Sequence, residues 1–133
     1  MLYINSVPIN CINQAAIQYH VPGILILSVL KTEGGYTGLA KLNHNRSVDY
    51  GAFQINSYWI PKLIQYHITQ NDLQYDPCVN VKIGAWILSK NIADNSHFQQ
   101  SIGNYNSVTP SYNAKYFYRV KSSYNSIMKS LYG

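Results

Sequence analysis

Charge is scarce in this chain, and long apolar runs are missing. Only 11% of its 133 residues are charged. No apolar run exceeds the length of Ile24 to Leu27, far short of the roughly 20 residues that cross a bilayer. No membrane span is therefore expected. Cysteine is limited to Cys11 and Cys78, with neither a C-x-x-C nor a Cys/His zinc pattern. The histidines, His20, His44, His67 and His97, show no ligand spacing with acids or thiols, so no metal is expected. A nucleophile-elbow motif, a phosphate loop and a dinucleotide fingerprint are also lacking, which leaves no cofactor to expect. Met1 to Asn10 lacks the basic start and long apolar stretch of a secretory signal.

What is present points to one compact domain over residues 1–133, large enough to bury roughly two-thirds of its unfolded surface. No oligomer is needed to explain a fold, so a monomer is expected. The few charges are unbalanced, with ten Lys and Arg against five acids. A solvated surface, an anionic polymer such as peptidoglycan, and nucleic acid are the competing explanations. The basic residues are scattered rather than striped, which argues against nucleic acid. Thirteen tyrosines offer flat faces that suit both cores and sugar rings. Paired, the two cysteines would close a loop of almost seventy residues, stabilise by roughly 4 kcal/mol and imply an oxidising compartment. Unpaired, they would be two buried thiols. Both readings stay open on the residues alone.

The periodicity predicts a mainly helical (α+β) chain. Helices are expected over Pro8–Tyr19 and over Pro22–Glu33, the latter stopped by Gly34-Gly35. Gly38 to Val48 reads as turn. Asp49 to Ile55 reads as a short strand or hairpin arm, giving a small strand region near 43–56. Ser57–Tyr66 reads as a short helix with Trp59, Ile60 and Leu63 inward. Asp76 caps a helix to about Ala93 that buries Val79, Ile83, Trp86 and Ile87. Ser96 is expected to cap a helix through Phe98, Ile102 and Tyr105. After a loop at Asn106–Ser111, the last helix is expected from about Tyr112 to Leu131, with Tyr116, Val120, Tyr124, Ile127 and Leu131 on one face.

Glu33 is the only glutamate, and its position is unusual. It ends an apolar helix, just before Gly-Gly. The apolar surroundings draw the carboxyl out of water, and the negative helix end disfavours a second negative charge. Both effects raise its pKa. A carboxylic acid still protonated near neutral pH is what cleavage of a glycosidic bond needs, because the leaving oxygen must receive a proton.

Four segments resemble a known family: Ile24 to Glu33, then Asp49-Tyr50-Gly51-Ala52-Phe53-Gln54-Ile55-Asn56-Ser57, then Asp76-Pro77-Cys78-Val79-Asn80 through Gly84-Ala85-Trp86-Ile87-Leu88, then Asn104-Tyr105-Asn106. Together they are similar to the soluble lytic transglycosylase domain of the lysozyme-like superfamily. The resemblance is strongest to the small, single-domain members, the IagB type among them, that accompany type III secretion and conjugative systems. It implies a helical bundle around a cleft, a periplasmic or extracytoplasmic location, and peptidoglycan glycan strands as substrate. Secretion or conjugation machinery is the implied protein partner. Residue by residue, it implies Glu33 as catalytic acid and base, Gln54, Asn56, Tyr105, Asn106 and Tyr116 as substrate-binding residues, and Cys11–Cys78 as a disulfide; holding the turn before the next helix is the competing reading of Asn56, and core packing that of Tyr116. Two departures stand out. Gly34 occupies the place of the family's usual serine, and Tyr105-Asn106-Ser107-Val108 replaces its Y-N-A-G turn.

Other readings compete with cleavage that forms a 1,6-anhydro product. Asp49 also matches the second carboxylate of animal lysozymes, which implies hydrolysis by Glu33 with Asp49. A glycan-binding assembly factor without catalysis is the third reading.

Overall fold

The computed structural model describes residues 2–132. The fold is mainly helical and lysozyme-like, with small antiparallel sheets. A hairpin of β1 (Tyr3–Ile4) and β2 (Val7–Pro8) precedes the first helix. Its turn residues Asn5 and Ser6 have φ of 51° and 62°, the primed-turn backbone that suits strand twist. Pro8 therefore ends a strand, and α1 (Ile9–Tyr19) starts just after it.

The central helix α2 (Gly23–Glu33) packs against α1 and against the last helix, α7 (Pro110–Tyr132). It buries Leu25, Ile26, Ser28, Val29 and Leu30, which is why its sequence is apolar on nearly every side. Gly34 terminates it at φ 64°, with its N–H bonded to the Leu30 carbonyl at 3.0 Å. This is the left-handed closure that glycine adopts without strain.

The second sheet has the order β3 (Ala40–Leu42), β4 (Val48–Tyr50), β5 (Ile55–Asn56), with Lys41 opposite Asp49 and Asp49 opposite Asn56. The expected turn at 38–48 thus contains a strand. All of β3 is exposed, so no apolar alternation marks it, and pairing with β4 creates it. Ser57–Tyr66 forms α3 (Ile60–Leu63) flanked by 3₁₀ turns. Leu63 is buried there, whereas Trp59 and Ile60 are only half-buried.

Next, α4 (Gln70–Tyr75) forms where no element was expected, held by a Thr69–Asp72 capping box. Helix α5 (Pro77–Asp94) begins as its sequence predicts, because the Asp76 carboxylate accepts the N–H groups of Cys78 and Val79 at 3.0 and 3.1 Å. Ile83 and Ile87 are buried; Val79 and Trp86 are half-buried. Trp86 packs its edge on Trp59, ring centres 5.6 Å apart.

Helix α6 (Phe98–Gly103) is shorter than expected. Its N-cap is His97, Ser96 bonds only the His97 ring, and Tyr105 lies beyond its end. In α7, Tyr116 and Val120 are buried, but Tyr124 and Leu131 are 39% and 63% exposed. At 23 residues, α7 is far longer than the 11-residue α2 beneath it, so its distal turns outrun the core. Cys11 and Cys78 form a disulfide, Cα atoms 5.1 Å apart, that ties α1 to the start of α5. No helix of the described residues is long and apolar enough to cross a membrane.

Candidate active site

The last turn of α2 brings Glu33 to the edge of the core. Directly after it, Gly35 is buried against the backbone of the β4–β5 turn. A Cβ at Gly35 would collide with the carbonyl oxygens of Gly51 and Ala52. Only glycine lets that turn descend beside the acid.

The turn itself, Gly51 to Gln54, is fixed from below by Asn80, which is 1% exposed. Asn80 Oδ1 accepts the Phe53 N–H at 2.9 Å, and its Nδ2 donates to the Tyr50 and Leu73 carbonyls, each at 2.8 Å. Gly51 has φ 70°, and a side chain there would strike the Asn80 amide. Gln54 follows with φ 53° and folds its Nε2 back onto the Gly51 carbonyl at 2.9 Å.

From the other side, Tyr105 donates its hydroxyl to the Phe53 carbonyl at 2.7 Å. The turn that carries Tyr105 and Asn106 is anchored by Asn113. Its Nδ2 reaches the Gln100 and Ser107 carbonyls at 3.0 Å and Asn104 Oδ1 at 2.8 Å. The altered turn sequence after Tyr105 is thus held by α7.

These segments enclose a cleft of about 660 Å³. Glu33, Asp49, Gln54, Asn56, Tyr105 and Asn106, from three separate segments of the chain, line it together. Asn56 serves the wall rather than projecting freely. Its Nδ2 donates to Asp49 Oδ1 at 2.8 Å and to Ser47 Oγ at 3.0 Å, while its Oδ1 accepts the Tyr58 N–H at 2.9 Å. Tyr116 does not line the cleft. It is 2% exposed, stacks on Tyr105 with ring centres 6.1 Å apart, and donates its hydroxyl to the Glu33 carboxylate from behind. Gly34 is exposed, and a Cβ there would meet nothing within 4 Å.

Burial pushes the Glu33 pKa from 4.5 up to about 7; the nearby Asp49 charge adds to the rise, while the Tyr116 hydrogen bond, Arg119 and Lys41 oppose it. The phenols of Tyr105 and Tyr116 are raised well above 10, by burial first and then by the Glu33 charge. Both remain hydrogen-bond donors at any working pH. The site therefore holds one carboxyl that titrates near neutrality, braced by a phenol and open to the cleft on one side.

Several members of this arrangement were not singled out from sequence. Asn80 and Asn113 are its anchors, and Asn43, His44, Trp59 and Tyr112 add to the cleft walls. The one available signal was an amide among apolar helix positions: Asn80 sits between Val79 and Val81.

A helix-end acid facing a small antiparallel sheet across an open cleft, within a mainly helical chain, defines a lysozyme-like protein. The chain belongs to the transglycosylase SLT domain family, whose model matches residues 10–128. It is 32% identical over 111 residues to Invasion protein IagB of Salmonella typhimurium, covering 82% of this chain and 69% of that one. Similarity extends to a peptidoglycan-binding-like protein of Escherichia coli O157:H7, 34% identical over 104 residues, with 72% and 62% of the two chains covered. Protein IpgF of Shigella flexneri is 28% identical over 101 residues, with 75% and 66% covered. Family membership supports a transglycosylase-type role on peptidoglycan.

Proposed function

We propose that the 133 residues act as one lytic transglycosylase domain that cuts peptidoglycan between N-acetylmuramic acid and N-acetylglucosamine. The observation that carries this reading is the Glu33 carboxyl, held near pKa 7 where the cleft meets the core. Glu33 gives its proton to the glycosidic oxygen as the bond to C1 breaks. The carboxylate, stabilised by the Tyr116 hydroxyl, then takes the proton of the muramic acid C6 hydroxyl, whose oxygen bonds to C1. The product is a 1,6-anhydro end, no water is consumed, and Glu33 finishes protonated as it began. One protein carboxyl serves as acid and base in turn.

Gln54 and Asn106 supply polar contacts to the sugar, Tyr105 shapes the wall beside the acid, and Asn56 keeps Asp49 in place. Tyr116 positions Glu33 and does not touch substrate. The location is extracytoplasmic, where peptidoglycan and a Cys11–Cys78 disulfide are both at home. The biological task is local opening of the wall during assembly of a secretion or conjugation apparatus, as the resemblance implies.

A second reading draws on Asp49, a carboxylate in the same cleft. If it acts as the nucleophile of a retaining hydrolase, products carry reducing ends. Mass spectrometry of products from purified peptidoglycan separates the two. Anhydro ends made by the wild type and abolished by Glu33→Gln are expected. Reducing ends alone, or digestion that survives Glu33→Gln, refute the transglycosylase assignment.

A further inference from the structure

One face of α7 grips the final turn of α2 at successive points. Tyr116 bonds the Glu33 carboxylate. One turn on, Arg119 Nη2 donates to the Thr32 main-chain carbonyl at 3.2 Å, and its guanidinium lies over the Tyr116 ring, 5.8 Å from the centre. A further turn on, the Ser123 and Thr32 hydroxyls meet at 2.8 Å. Positions 116, 119 and 123 fall at the spacing of a single helical stripe.

Arg119 differs from its neighbours in the stripe because it brings a charge. The carbonyls of the last turn of a helix have no partner within the helix and form its negative pole. Thr32 supplies one of those carbonyls, and Glu33 ends the same turn. An unopposed pole there would hold the acid neutral to a still higher pH. The Arg119 cation sits on that pole and, across the ring face, beside the phenol that donates to Glu33.

We propose that Arg119 is a positioning residue for the acid, capping the carbonyl end of α2 and covering Tyr116 so that Glu33 can release its proton in the working range. This rests on the reading of Glu33 as the acid and base. Five groups face the carboxyl from the elements packed around it. Tyr116 and Arg119 come from α7, Tyr105 from the turn after α6, Asp49 from β4 and Lys41 from β3. Of the two cations, Arg119 has the larger lowering effect. It is the one that also contacts both the helix end and the phenol.

Glu33 is the only glutamate, so protein labelled with ¹³C-glutamate reports one side-chain carboxyl, whose NMR titration needs no substrate. Arg119→Met is expected to raise the Glu33 midpoint by about half a pH unit, the scale of one charge at a helix terminus. Arg119→Lys should restore most of it, and Ser123→Ala, which loosens the same clamp without removing charge, should leave it unmoved. The alkaline limb of peptidoglycan turnover, where Glu33 must still hold its proton to act as acid, should move with the NMR midpoint. An unmoved midpoint in Arg119→Met, or an equal move in Ser123→Ala, overturns the proposal. A shifted midpoint in a protein that digests nothing at any pH sinks the enzymatic reading and leaves the role of Arg119 standing.

Discussion

The raised pKa of Glu33 makes a prediction about folding that requires no substrate. Its value is about 7 in the folded chain, against 4.5 for an ordinary glutamate, and burial is the main cause. Between those values the folded state keeps a proton that the unfolded chain has released. Stability from this group is therefore complete below pH 4.5, declines as pH rises through the window, and stays lost above about 7. The whole shift corresponds to about 3 kcal/mol at 1.36 kcal/mol per pH unit. One side of the carboxyl opens to the cleft, and screening there lowers the expected amplitude to about 2 kcal/mol. Glu33→Gln has no proton to lose, and its amide oxygen can still accept from Tyr116. Urea unfolding of both proteins at intervals from about pH 4 to 8.5 measures the difference. Relative to wild type, the glutamine variant should gain about 2 kcal/mol across that range, with the midpoint of the gain between 4.5 and about 7. Two stability curves running parallel, separated by a constant, would refute the idea that burial keeps this acid neutral.

Other perturbations address the frame around the acid. Asn80→Ala strips partners from one buried N–H and two buried carbonyls; it should cost about 3 kcal/mol or more in urea unfolding. Gly35→Ala drives a methyl into the Gly51 and Ala52 carbonyls. It should lower both the melting temperature and peptidoglycan turnover, whereas Gly23→Ala, where a Cβ meets nothing within 4 Å, should not. Replacing both cysteines by serine opens a loop of sequence separation 67; about 4 kcal/mol should disappear, as should the sensitivity of melting temperature to reductant. Asp49→Asn removes a charge that helps raise the Glu33 pKa, so the carboxyl NMR midpoint should fall, while anhydro products persist.

The helices that carry the site were legible because their signals are local. An apolar stretch ending in Gly34-Gly35 places Glu33 at a helix end, and Asp76-Pro77 announces α5. The strand β3 was not legible, since Ala40 to Leu42 face solvent and owe their conformation to β4. The tail of α7 keeps an apolar stripe that the periodicity assigns to the core, yet Tyr124 and Leu131 stay exposed. Within the site, residue types with a known chemical task were readable, and the anchors were not. Asn80 and Asn113 act through backbone groups far away in the chain. The partners of an amide depend on which carbonyls the fold delivers to it. Tyr116 illustrates the same limit: the resemblance placed it among the substrate-binding residues, whereas its hydroxyl is spent behind the carboxyl.

The acid and the phenol that braces it lie 83 positions apart along the polypeptide. A ribosome must therefore pass Tyr116, in the first third of α7, before Glu33 can acquire its partner. In the proposed reaction, the acid is therefore complete only once α7 has docked on the end of α2.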